Sequence, residues 1–187
     1  MSLYVAEIDT TADSDIDSVL SKTAQAAAVN GGEFIESQVT ANRNRIFAVL
    51  EHTDINALRH DLIAAGLKVD ELASVRLIGA ELEDIKKLKP AGQYLVEWDF
   101  PEGLTMDKYL ARKAEKSPLY NDIEDVKFLR TYVREDMVKC LCFYDGESED
   151  AVVAARQSCL HLGKPAGGTA DEHGPQHGGR RACSVGA

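Results

Sequence analysis

Tyr4-Val-Ala-Glu-Ile-Asp9 lies over Tyr94-Leu-Val-Glu-Trp-Asp99 at an offset of 90, and this self-similarity decides the fold. The match runs on without a gap to Asp17 over Asp107 and Leu20 over Leu110. A second block follows at an offset of 94, with Phe34-Ile35 over Phe128-Leu129, Val39 over Val133, Arg45 over Lys139 and Phe47 over Leu141. It ends on two helix starts, Asp54-Ile-Asn-Ala-Leu58 over Ser148-Glu-Asp-Ala-Val152. Few positions are identical, so the order and spacing of element types carry the argument, as expected when one supersecondary unit is used twice.

Both copies read alike. Residues 3–9 alternate with period two, as a half-buried strand does. A helix is expected from about Ser14, with Asp15 and Asp17 suited to its first turn and Gly31-Gly32 ending it. Strands over residues 33–39 and 45–51 flank a polar turn at 42–44. Asp54 caps a helix that ends at Gly66, and residues 71–78 form a closing strand. Strand-helix-strand-strand-helix-strand is the split βαβ order of a ferredoxin-like unit. Residues 81–92 are charged and helix-capable until Pro90 and Gly92, and serve as the linker. The second copy supplies a strand at 93–100, a helix from about Thr105, strands at 126–133 and 137–144, and a helix at 148–161. Its fourth strand is missing: Gly163-Lys-Pro-Ala-Gly-Gly-Thr-Ala-Asp-Glu172 has no β-branched run. Residues 163–187 therefore read as a flexible tail, unless the sheet is completed some other way.

A unit of this kind covers one sheet face with helices and leaves the other bare. That face is apolar here, and packing two such faces together removes the patch. The expected fold is α+β: two tandem ferredoxin-like βαββαβ units, residues 1–80 and 93–162, packed sheet to sheet as an intrachain pseudo-dimeric α+β barrel. The second sheet's ragged end leaves room for a homodimer through a partner strand.

Composition narrows the function. With 44% hydrophobic and 28% charged residues, the 187-residue chain has a true core. Its formal net charge of −10 argues against nucleic acid, whose phosphates attract Lys and Arg patches. No apolar run approaches membrane-spanning length, and MSLYVAEIDT lacks the basic and apolar regions of a signal peptide. The four cysteines (Cys140, Cys142, Cys159, Cys183) crowd the last quarter, unlike a disulfide framework. A cytoplasmic chain with reduced thiols is the expectation.

The blocks Tyr94-Leu-Val-Glu-Trp-Asp-Phe-Pro-Glu-Gly-Leu104, Phe128-Leu-Arg-Thr-Tyr-Val133, Lys139-Cys-Leu-Cys-Phe-Tyr144 and Ser148-Glu-Asp-Ala-Val152 carry a resemblance. Together they make residues 94–157 similar to a family of small bacterial ferredoxin-like proteins of formerly unknown function. That family includes nickel-binding or nickel-responsive members. The resemblance implies a dimeric α+β barrel type of fold and nickel or another transition metal as cofactor.

The residues themselves offer one polar cluster in the second copy. Glu97 points away from Tyr94, Val96 and Trp98; Arg130 and Tyr132 share a strand face, as do Cys140, Cys142 and Tyr144. If these faces converge, Glu97, Arg130, Tyr132, Cys142 and Tyr144 line a pocket for a small molecule or metal ion. The bland alternative is a structural Glu–Arg pair among core tyrosines and cysteines. Cys140 and Cys142 point the same way, so with Glu97 they are the candidate ligands of a soft metal, although buried packing alone accounts for many cysteines. Glu7 holds the position of Glu97 in the first copy, where Ile46, Ala48 and Gln38 replace Cys140, Cys142 and Tyr132. His52 and His60 read as solvated surface residues, and His173 and His177 as part of the tail. No Gly-rich phosphate loop, GxSxG or HExxH occurs. Three functions stay open: a small-ligand or metal-binding protein, a cofactor-free monooxygenase- or isomerase-like enzyme using Glu97 and Tyr132, and a non-catalytic interaction module.

Overall fold

A computed structural model of the chain describes residues 1–88, 94–116, 118, 125–162 and 182–183. The chain begins with β1 (Ser2–Asp9), α1 (Ile16–Ala28), β2 (Glu33–Thr40), β3 (Arg45–His52), α2 (Ile55–Ala64) and β4 (Val69–Ile78). The short α3 (Leu82–Leu88) leads to β5 (Tyr94–Asp99), α4 (Met106–Lys116), β6 (Val126–Arg134), β7 (Lys139–Gly146) and α5 (Glu149–Leu162). A two-residue strand, β8 (Ala182–Cys183), comes last. The helix starts follow from capping. Asp15 accepts from the Ser18 N–H, and Asp54 accepts from those of Asn56 and Ala57 at 2.7 and 2.9 Å. Gly66, at φ +79°, takes the left-handed turn after α2 that a residue with a Cβ adopts at a cost.

The strands form one antiparallel sheet in the order β5-β7-β6-β4-β1-β3-β2-β8. The two sheets expected to pack sheet to sheet are thus hydrogen-bonded into one. The run β4-β1-β3-β2 is hydrogen-bonded to the run β5-β7-β6 through a seam between β4 and β6, from Val75 opposite Arg134 to Ile78 opposite Thr131. β-Bulges interrupt β2 between Phe34 and Glu36 and β6 between Phe128 and Arg130. β8 pairs with β2 at Val39 and Thr40. That strand falls within the segment expected to be a flexible tail; residues 163–181 and 184–187, with His173 and His177, lie outside the described residues.

The sheet curls. Four strand spacings separate β6 from β2, about 19 Å if the sheet were flat. Yet Arg130 Nε on β6 stands 2.8 Å from Glu36 Oε1 on β2. The inner face is lined by Val5, Phe47, Val49, Val75, Leu95, Tyr132, Leu141 and Phe143, drawn from both runs of strands. Ile85 of α3 enters this cluster and is 2% exposed, so the linker helix plugs the interior. Lys86, one residue on, reaches Glu33 and Glu51, both at 2.7 Å. The outer face carries two further cores. Ala6, Ile8, Ile46 and Leu50 pack with α1 and α2, and Val96, Val133, Cys140, Cys142 and Tyr144 pack with residues of α4 and α5.

Candidate functional site

Strand alternation sends Glu7 and Glu97 inward, and both reach one cation. Lys139 Nζ lies 3.0 Å from Glu97 Oε1 and forms an ion pair with Glu7. Glu7 is also 2.8 Å from Arg45 Nη1, and Arg45 continues to Asp70 at 2.8 Å and Asp9 at 3.3 Å. Glu71, on the neighbouring strand, pairs with Arg134. The Glu7 side chain is only 3% exposed. Burial pushes its carboxyl above the usual carboxylate range, and Lys139 pulls it part of the way back. Desolvation weighs on the Lys139 ammonium, but Glu7 and Glu97 outweigh it and raise its pKa. The two acids that occupy equivalent sequence positions thus share one charge network.

A second network crosses the interior. Arg130, 1% exposed, grips Glu36 through both Nε and Nη2 and lies 4.7 Å above the Phe143 ring. Tyr132 donates its hydroxyl to Glu36 at 2.5 Å. Burial first, and then the Glu36 charge, push the Tyr132 phenol well above its ordinary range. It stays a neutral donor.

These contacts revise the expected pocket. Glu97 and Arg130 do not pair with each other: Glu97 takes Lys139, and Arg130 takes Glu36. Glu97 and Tyr132, the acid and hydroxyl of the enzyme reading, fall in separate networks. Cys140, Cys142 and Tyr144 belong to the outer face. Cys142 stands opposite Val96 and Cys140 opposite Trp98, while Glu97 faces Leu141. The sheet therefore lies between Glu97 and the two sulfurs, and Glu97 is not their third ligand. His60 is exposed as expected, but His52 is 0% exposed, its Nδ1 held by the Asp54 backbone.

The sequence reading missed Glu36 and Lys139. Lys139 was legible, since it shares the parity of Leu141 and Phe143. Glu36 was not, because the bulge in β2 resets the alternation between Phe34 and Val39 and turns Glu36 inward.

On the outer face the thiols form a pair. Cys140 Sγ and Cys142 Sγ are 3.7 Å apart and both are buried. The Tyr109 hydroxyl of α4 contacts Cys140 Sγ at 3.7 Å, and Thr131 Oγ1 contacts Cys142 Sγ at 3.3 Å. Two thiolates on one tetrahedral ion stand about 3.8 Å apart for metal–sulfur bonds of ~2.3 Å. The pair matches that spacing. No group of three or more His, Cys, Asp or Glu gathers around a common point among the described residues. The Cys142 thiol and burial raise the Cys140 pKa, which keeps that sulfur protonated.

No helix among the described residues is long and apolar enough to cross a membrane. Comparison with curated proteins finds no match. Among solved structures, one provisionally described as a chlorite dismutase is similar at 12% identity and a TM-score of 0.53, covering 85% of this chain and 86% of the other. That likeness is one of fold. A provisionally described monooxygenase from Fusobacterium nucleatum (12% identity, TM-score 0.44, 83% and 79% covered) and the siroheme decarboxylase NirDL (12%, 0.45, 85% and 67%) are more distant and carry no argument. Residues 94–161, which hold the thiol pair, match the family described as nickel responsive protein SCO4226-like, and the second half of the chain is similar to that family.

Proposed function

We propose that this chain is a non-catalytic binding protein for a thiophilic transition metal, with Cys140 and Cys142 as its donor pair. In this reading it is built as two linked ferredoxin-like units, residues 1–80 and 93–162, closed into one intrachain α+β barrel. The observation that carries the metal reading is the 3.7 Å sulfur–sulfur spacing within the family-matched segment. Nickel is the first ion to test because the matched family is described as nickel responsive. The equivalent positions of the first unit, Ile46 and Ala48, are buried and apolar, which leaves that unit as scaffold in place of a second subunit. A reducing compartment such as the cytoplasm suits the free thiols.

The tandem reading draws on coincidences at an offset of 94. The bulges at Phe34–Glu36 and Phe128–Arg130 are so related, as are the left-handed residues Arg43 (φ 55°) and Met137 (φ 57°). β3 and β7 start and end at equivalent residues. A second function, a pure interaction module, is favoured by the inward acids, each of which has a basic partner.

Elemental analysis of untagged protein, with titration by nickel, zinc and copper(I), tests the proposal. About one equivalent per chain, lost in Cys140→Ser/Cys142→Ser, is the expected result for a dithiolate donor pair. Metal-free protein that gains no thermal stability from any of the three ions rejects it, and the interaction module then stands.

A further inference from the structure

Glu36 and Arg130 are equivalent residues of the two repeats, 94 positions apart, each placed at the equivalent bulge. In a symmetric dimer, a residue that touches its own copy sits on the twofold axis. The Glu36–Arg130 contact therefore marks the pseudo-twofold axis between the units. A true homodimer of either unit would set Glu against Glu, or Arg against Arg, at that point.

We infer that this contact is a pairing-specificity device: it makes the two units accept each other and reject their own kind. The inference rests on the tandem-barrel reading above. The units differ around the axis in a concerted way. The second supplies the guanidinium, the Phe143 ring beneath it at 4.7 Å and the Tyr132 hydroxyl. The first supplies the carboxylate, with Val49 and Gln38 where the second has Phe143 and Tyr132. At 1% exposure, Arg130 opposite a second arginine would be buried without a counter-ion, the costly case. The partner this surface fits is the other unit, and like-with-like pairing between two chains is selected against.

The test uses full-length protein. Glu36→Arg and Arg130→Glu each put like charges on the axis, and each is expected to lower Tm by roughly 10 °C or to prevent folding. The exchanged double variant Glu36→Arg/Arg130→Glu is expected to fold and to recover at least half of that loss. Glu36→Gln/Arg130→Gln, with no like charges, is expected to melt above both reversals. An exchanged variant no better than the worse reversal, or reversals that leave Tm unchanged, overturns the inference. NMR contacts across the seam in the wild type, Leu77 to Tyr132 and Arg76 to Val133, separate the two levels. Their absence removes the barrel and the inference together; their presence with no rescue removes the inference alone.

Discussion

Lys139 draws together carboxylates from different parts of the chain, Glu7 from β1, Glu97 from β5 and, at 3.7 Å, Glu71 from β4. Replacing it with Met leaves the nearly buried Glu7 with Arg45 alone, and a loss of about 3 kcal/mol is expected, measured by urea unfolding at pH 7. The pH dependence has a definite sign. Burial already raises the Glu7 pKa, and Lys139 lowers it, so Lys139→Met raises it further. A carboxyl with a raised folded pKa favours the fold when protonated, and that contribution is lost as pH climbs through the folded pKa. The deficit of Lys139→Met against wild type should therefore shrink between pH 7 and pH 5; a deficit that grows as pH falls would contradict the buried-acid account. At this scale the sequence told half the story. The matching positions of Glu7 and Glu97 on similar strands were readable from the sequence, and the inward turn of Tyr132 from alternation. The Arg130–Glu36 contact was not, since a bulge reverses parity without any glycine or proline to announce it.

α3 shows how much an element's role depends on tertiary context. Its charges and short length marked it as a linker, and residues 81–92 gave no reason to expect more. In the fold, Ile85 enters the inner apolar cluster while Lys86 is anchored to Glu33 and Glu51. Ile85→Ala should cost roughly 2–4 kcal/mol, the usual range for emptying a buried aliphatic site. A cost under about 0.5 kcal/mol, typical of exposed positions, would show α3 to be a tether and nothing more. Strand and helix order were legible throughout because each element carries its own cap, turn or alternation. β8 was not: two residues have no period.

The seam between β4 and β6 and the shared inner core join what the sequence divides. Nothing in the repeat distinguishes two sheets that press together from one sheet that curls, because the hydrogen bonds of a strand edge leave no mark on residue choice. With the interior common to both runs of strands, unfolding should be a single event. The chain has one tryptophan, Trp98, on β5. Its fluorescence and far-UV circular dichroism should follow the same urea transition. An early fluorescence change would mean that the run β5-β7-β6 melts alone and that the seam is weak.

In the tandem reading proposed above, the described residues hold one thiol pair, Cys140 and Cys142. A symmetric dimer would present two such pairs related by the axis, and occupation of one would bear on the other. The proposed metal site, one per chain, predicts a hyperbolic saturation curve with a Hill coefficient of one. Under that proposal the response to metal is graded, following the occupancy of a single pair.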